Sequence, residues 1–257
     1  MTVEAVAVGP SVSPVAGTLR FRDAQTGSTF HIGSPARRPE LWDRYLDGAL
    51  RAYRHYGVES VLDWKNTRDG KSTALFFAGV NAVGEVVAGV RAQWPCNGVN
   101  EIAALREWRG RAGESALRDS IAERMPFGVV EVRGGWVDRS AEDRRALGAA
   151  VARCIAYAPM LLGKRFAFGT AASFTADRYS RAGGVIPPEI PSVPFPDTRY
   201  RTVPVWWDSW RYREVVGGQQ YSLMSAELRE LGITDHKGGR SRRESGRGWE
   251  VLRTHGR

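Results

Sequence analysis

Residues 127–184 set the strongest constraint on what this chain can fold into. Phe127–Val137 is rich in valine and reads as a strand. Asp138–Arg145 is a charged turn, and Ala146–Gly163 is an apolar run of helical length. Arg165–Thr170 is a second short strand, followed by a short helix ending in Tyr179-Ser180-Arg181-Ala182-Gly183-Gly184. Strand, turn, helix and strand make a βαβ unit. Its turn leads into a helix N-terminus, where outward-pointing backbone N–H groups attract anions. The expected class is therefore α/β (α+β).

The flanks add strands on one side. Thr18–Asp23 and Ser28–Ile32 surround Ala24-Gln25-Thr26-Gly27 and read as a hairpin. In 40–56, Leu41, Tyr45, Leu46, Ala49, Leu50 and Tyr53 fall at helical spacing, with Gly57 as the stop. Arg44, Arg51 and Arg54 lie near the other faces, either as solvated charges or as contacts for a coenzyme or carrier. Thr73–Asn81 and Glu85–Trp94 make a second hairpin through Asn81-Ala82-Val83-Gly84. Residues 101–124 are helical in composition but split by Gly110 and Gly113. Five prolines keep 184–197 irregular. Tyr200–Trp207 resumes a strand, and Trp206, Trp207 and Trp210 form either core or the wall of an acyl or acceptor pocket. The pattern weakens in 215–231. This divides the chain into a flexible leader over 1–17, a domain over 18–215, and a C-terminal helix with a basic, mobile tail over 216–257.

The 257 residues carry a net charge of +9, and residues 232–257 hold seven Lys/Arg against three Asp/Glu. Such a balance favours anionic partners: coenzyme phosphates, an acidic carrier protein, or, less readily, nucleic acid. No apolar run is long enough to span a membrane, and the N-terminus lacks the basic start of a signal peptide. Cys96 and Cys154 make no disulfide framework, so a reducing cytoplasm is expected. The four histidines are scattered without metal-ligand spacing, and no metal is expected.

Three features carry chemistry. Glu131 shares a strand face with Val129 and Arg133, and an acid inside an apolar strand needs a partner or a task. It is either the ion-pair partner of Arg133 or a general base whose pKa burial has raised. Gly134-Gly135 follows in the same strand, where glycine marks a bulge or the close approach of a ligand. At the helix start, Arg144, Arg145, Ala146, Gly148, Ala149 and Ala150 combine charge with small side chains, a cradle for a diphosphate. Alternatively, Ser140 and Asp143 form a capping pair, and the helix begins before Gly148.

Residues 130–150 resemble the acyl-thioester-binding core of the GNAT (Gcn5-related N-acetyltransferase) superfamily. Arg145-x-x-Gly148-x-Ala150 matches that family's Arg/Gln-x-x-Gly-x-Gly/Ala motif, and Gly169-Thr170 through Tyr179 to Gly184 resembles its later strand and tyrosine-bearing helix. The resemblance implies a mixed, mostly antiparallel sheet flanked by helices, with one splayed strand pair. It implies Glu131 as base and Tyr179 as the acid that protonates the departing thiolate. Main-chain groups around Trp136 and Val137 would hold pantetheine, and residues 145–150 the diphosphate. A narrower resemblance is to the acyl-homoserine-lactone and long-chain N-acyl amino acid synthases. It rests on Tyr53-Arg54, on Gly89-Val90-Arg91 and on the Glu131 strand. It points to Arg54, Arg91 and Arg133 for substrate, with acyl carrier protein as a partner; Trp206 joins them as the pocket-wall reading of the aromatic cluster. Those enzymes read Glu-x-Ser/Thr-Arg, whereas this chain reads Glu131-Val132-Arg133-Gly134, with glycine at the arginine position.

The expected function is N-acylation of a small amine, with acyl-CoA or acyl-phosphopantetheine as donor. The competing expectation is a catalytically silent protein of this fold that binds an anionic partner.

Overall fold

The computed structural model describes residues 19–233. Strands β1 (Leu19–Arg22) and β2 (Thr29–Gly33) form the first hairpin, followed by α1 (Pro39–His55) and the short α2 (Trp64–Thr67). Strands β3 (Thr73–Val80) and β4 (Val86–Gln93) form the second hairpin, and α3 (Leu105–Trp108) and α4 (Glu114–Arg124) fill the excursion after it. The central unit is β5 (Val129–Val137), α5 (Arg144–Leu161) and β6 (Phe166–Ala172), then α6 (Ala176–Arg181). The two-residue β7 (Gly184–Val185), β8 (Thr202–Asp208), α7 (Tyr212–Val215) and α8 (Gly218–Glu230) complete it.

The strands lie in the order β1-β2-β3-β4-β5-β6-β8-β7. Every neighbouring pair is antiparallel except β5 and β6. Parallel strands need a crossover, and α5 supplies it. This is the mixed, mostly antiparallel sheet with flanking helices that the resemblance implies.

Side chains alternate along a strand, so each face of the sheet builds its own core. Leu75 and Phe77 face α5 and α8, whereas Phe76 and Ala78 face α1. Val130 and Val132 of β5 join the α5 side. Val129 packs in a third cluster with Leu105, Trp108, Leu117 and Ile121 of α3 and α4. The breaks predicted at Gly110 and Gly113 are there, with φ of +68° and +88°. Both angles lie in the left-handed region that glycine enters without strain.

Two boundaries differ from the sequence reading. Helix α5 begins at Arg144, because the Asp143 carbonyl already accepts the Leu147 N–H at 2.9 Å. The C-terminal helix, set apart from the domain by its weak pattern, packs into the main core through Met224 and Leu228. It is also tied in by a buried ion cluster. Arg153 of α5 donates to Asp23 at 2.6 Å and to Glu227 of α8 at 2.9 Å, and Tyr157 also donates to Glu227. The predicted leader lies outside the described residues, as does all of the basic tail beyond residue 233.

Candidate functional site

The site begins where two strands part. β5 and β6 pair only through Val129–Phe166, Val130–Ala167 and Glu131–Phe168. Beyond that point β6 stays with β8 as far as Ala172–Thr202, while β5 stays with β4. A wedge opens between them, and the peptide groups of β5 that face it have no strand partner. The register against β4 explains the divergence. Gly89 sits opposite Trp136 and Arg91 opposite Arg133, so β5 carries one extra residue there. The extra residue falls at Gly134-Gly135, and Gly134 has φ of +63°. This is the glycine bulge expected from the sequence.

Two tyrosines of α1 hold the bulge. The Tyr45 hydroxyl donates to the Gly134 carbonyl at 2.7 Å, and the Tyr53 hydroxyl donates to the Gly135 carbonyl at 3.2 Å. A spacing of eight puts both on one face of the helix. Burial raises the pKa of both phenols, that of Tyr53 to about 12, so each remains a donor at neutral pH.

A first cavity of about 650 Å³ runs from the bulge to the start of α5. Gly135, Trp136 and Val137 form one wall, and Tyr53 and Tyr179 also line it. The Tyr179 hydroxyl stands 4.0 Å from where a Cβ on Gly135 would lie, and burial raises its pKa. Arg139, Arg144, Arg145 and Arg178 line the cavity against the single carboxylate of Glu142. The guanidinium of Arg178 lies flat over Gly148, so close that a Cβ there would come within 2.7 Å of it.

The cradle at the start of α5 is smaller than expected. Because the helix begins at Arg144, Gly148, Ala149 and Ala150 belong to its second turn, where backbone N–H groups are spent within the helix. Arg144, Arg145 and Gly148 line the cavity; Ala146 and Ala149 do not, and Ala150 is buried in the main core. The expected capping pair does not form, since the Ser140 hydroxyl donates to Asp138 instead.

A second, more polar cavity of about 460 Å³ is lined by Thr67, Arg91, Glu101, Arg106, Glu107 and Arg133, among others. Arg91 is 4% exposed and donates to the Thr73 and Thr67 hydroxyls, each at 3.2 Å. It makes no ion pair with a carboxylate among the described residues, and burial holds its pKa below the usual arginine value. Arg133 lies between two acids, 3.0 Å from Glu131 and 3.7 Å from Glu107.

Glu131 is 1% exposed, and its oxygens are taken. They accept the backbone N–H groups of Ala103 at 2.8 Å and Ala104 at 3.0 Å, besides Arg133. The pairing with Arg133 is therefore the reading of Glu131 that the geometry favours, and the residue lines neither cavity. Glu107 is buried too, yet neither of its oxygens has a hydrogen bond of ordinary geometry. The Thr170 hydroxyl approaches without closing one. Desolvation lifts the Glu107 carboxyl to about 7 despite the opposing pull of Arg133.

Two expected substrate contacts are elsewhere. Arg54 is exposed on α1 and lines neither cavity. Trp206 is buried beside Phe168, with the Arg124 guanidinium 4.8 Å above its ring, so it is core and not a pocket wall. Its neighbour Trp207 instead meets Tyr179 edge-on at 5.7 Å. Sequence reasoning gave no site role to Tyr45, Glu107 or Arg178. For Arg178 a signal existed: it directly precedes Tyr179.

No known family model matches the chain. It is 44% identical over 200 residues to the uncharacterized protein Rv1356c of Mycobacterium tuberculosis, covering 78% of this chain and 76% of that one. The uncharacterized protein Mb1391c of Mycobacterium bovis matches to the same extent. The chain belongs to this mycobacterial family. Among solved structures, the family member described here is similar to FeeM, an N-acyl amino acid synthase from uncultured soil microbes. The TM-score is 0.46 at 13% identity, covering 74% of this chain and 94% of that one. It is also similar to BjaI, a CoA-dependent acyl-homoserine lactone synthase. There the TM-score is 0.47 at 17% identity, covering 81% and 92% of the two chains.

Proposed function

We propose that this protein is an N-acyltransferase that moves an acyl group from a thioester of CoA to a small amine. The observation that carries this reading is the wedge between β5 and β6, continuous with a cavity that ends among four arginines at the start of α5. An extended, amide-containing pantetheine arm fits beside Gly135, Trp136 and Val137, where it takes the place of the missing strand. Arg144, Arg145 and Arg178 face its diphosphate, and the N-terminus of α5 adds its own positive end. Tyr56, Phe174 and Tyr200, also in the lining, offer rings on which an adenine can stack, which favours CoA over a carrier-bound arm.

In the reaction, a neutral amine attacks the thioester carbonyl, and an unpaired amide of β5 steadies the tetrahedral oxyanion. Tyr179 gives its proton to the departing sulfur. The second cavity receives the amine, and the buried, unpaired charge of Arg91 favours an acceptor that also carries an anionic group. Glu131 clamps the turn at Ala103 and Ala104 and holds Arg133 in place.

The test is release of free thiol. Purified protein is incubated with acyl-CoAs of increasing chain length, with acyl-carrier-protein thioesters, and with amino acids and alkylamines as acceptors. Release that needs both donor and amine is the expected result. Silence across the whole panel would overturn the reading.

A further inference from the structure

We infer that Glu107 takes the proton from the acceptor's ammonium group, the task the sequence had assigned to Glu131. The inference rests on the acyltransferase reading above and names a residue within it. Glu131 has spent its oxygens on Ala103, Ala104 and Arg133. Glu107 is equally deep, but both its oxygens lack a hydrogen bond of ordinary geometry, and it faces the second cavity. A buried, unsatisfied carboxylate beside open space is a site waiting for a donor.

Its position is also the required one. Thr170, the neighbour of Glu107 on β6, lies two residues past the last rung that joins β5 to β6, so Glu107 sits where the wedge begins to open. The charge of Glu107 also reaches Tyr53, which lines the first cavity. Glu107 thus lines the space for the amine at the point where the wedge opens. The groups facing it are Arg133 and Glu131 of β5, Thr170 of β6 and Tyr53 of α1. Arg91 of β4 and Arg106 and Glu101 from its own stretch share the cavity wall. A carboxyl raised to about 7 is matched to accepting a proton at neutral pH.

The proton balance is simple. The ammonium gives one proton to Glu107, which passes it to solvent. The freed lone pair forms the C–N bond, and the tetrahedral intermediate then collapses as the C–S bond breaks. The second proton lost from nitrogen balances the one that ends on sulfur.

The experiment compares wild type with Glu107→Gln, using the acceptor that releases most thiol from wild type, and hydroxylamine, which is largely unprotonated at neutral pH and needs no base; each rate is the excess over thiol released in the absence of protein. For the protonated acceptor, kcat/KM should fall by about 10²–10⁴-fold, with CoA affinity unchanged. The hydroxylamine rate should stay close to that of wild type, because an amine already neutral has no proton for the carboxylate to take. Equal rates in the two proteins, or equal losses with both amines, would overturn the assignment while leaving the transferase reading intact. A wild type that releases no thiol would overturn both. If the variant fails to fold, wild type alone decides. Its kcat/KM for the protonated acceptor should level off near pH 7; a tenfold rise per pH unit continuing to the acceptor's own pKa would overturn the inference.

Discussion

Tyr53 of α1 donates a hydrogen bond to the carbonyl oxygen of Gly135 in β5, across 3.2 Å and 82 positions of sequence. This bond keeps a loosened strand in one place. A bulge flanked by an open wedge would otherwise sample several geometries, and a donor would have to select among them. Tyr53→Phe removes the bond and leaves a carbonyl without its partner. The expected cost is about 1 kcal/mol in urea unfolding, with a larger proportional loss in thiol release than in CoA affinity. An unchanged rate would mean the bulge is held by Tyr45 alone.

The two glycines of the bulge should behave differently. Gly134 has a positive φ, and a Cβ there would meet the Tyr45 hydroxyl at 2.8 Å. Gly134→Ala should destabilise by about 1–3 kcal/mol, read as a lowered melting temperature. Gly135 is in ordinary backbone geometry, and its nearest contacts would be Val151 and Val90 at 3.8–3.9 Å and Tyr179 at 4.0 Å. Gly135→Ala should fold normally but narrow the first cavity beside Tyr179. Its signature is a weaker donor KM at an unchanged melting temperature.

Gly148→Ala offers an opposite sign. Alanine is the better helix former by about 1 kcal/mol, and the atoms it would strike belong to the mobile end of Arg178. The fold should hold or gain slightly, while Arg178 is pushed off the start of α5. Calorimetry with CoA should then show weaker binding in a protein no less stable than wild type.

Glu107 also makes a prediction about stability. Its folded-state pKa is raised from 4.5 to about 7, so the folded protein binds the proton more tightly than the unfolded chain. Stability therefore falls as pH rises from about 4.5 to 7, and the charged form is penalised above that range. At about 1.4 kcal/mol per pKa unit, the penalty reaches at most ~3.5 kcal/mol. Glu107→Gln should raise the urea midpoint at pH 8 and leave it nearly unchanged at pH 4.5. A midpoint that shifts equally at both values would show that the carboxyl does not titrate differently in the folded state.

Much of this was legible in one dimension because local rules govern it. Gly134-Gly135 inside a valine-rich run announces a bulge, since only glycine tolerates φ of +63° there so readily. The face of α1 was legible because Tyr45 and Tyr53 recur at helical spacing. What was not legible depends on which elements meet. Glu107 sits between Arg106 and Trp108 and reads as one of many charges on an insertion; only the docking of that insertion on β5 and β6 buries it. Glu131 stayed open between ion pair and base because two of its partners are backbone amides 28 and 27 residues away, which no side-chain pattern reveals. Trp206 and Ala150 were misassigned for a related reason. Alternation and helical phase say that a residue faces one side, but not whether that side is a cavity or a core.

The cluster around Arg153 bears on how the protein can be cut. One guanidinium fastens the turn after β1, through Asp23, and helix α8, through Glu227, to the helix whose tip faces the arginine-lined space. A shortened version ending near residue 215 would strand that charge in a greasy interior with half its counter-ions gone. The smallest piece worth purifying therefore keeps β1 through α8, from Leu19 to Ile233, and fusion partners belong outside that interval.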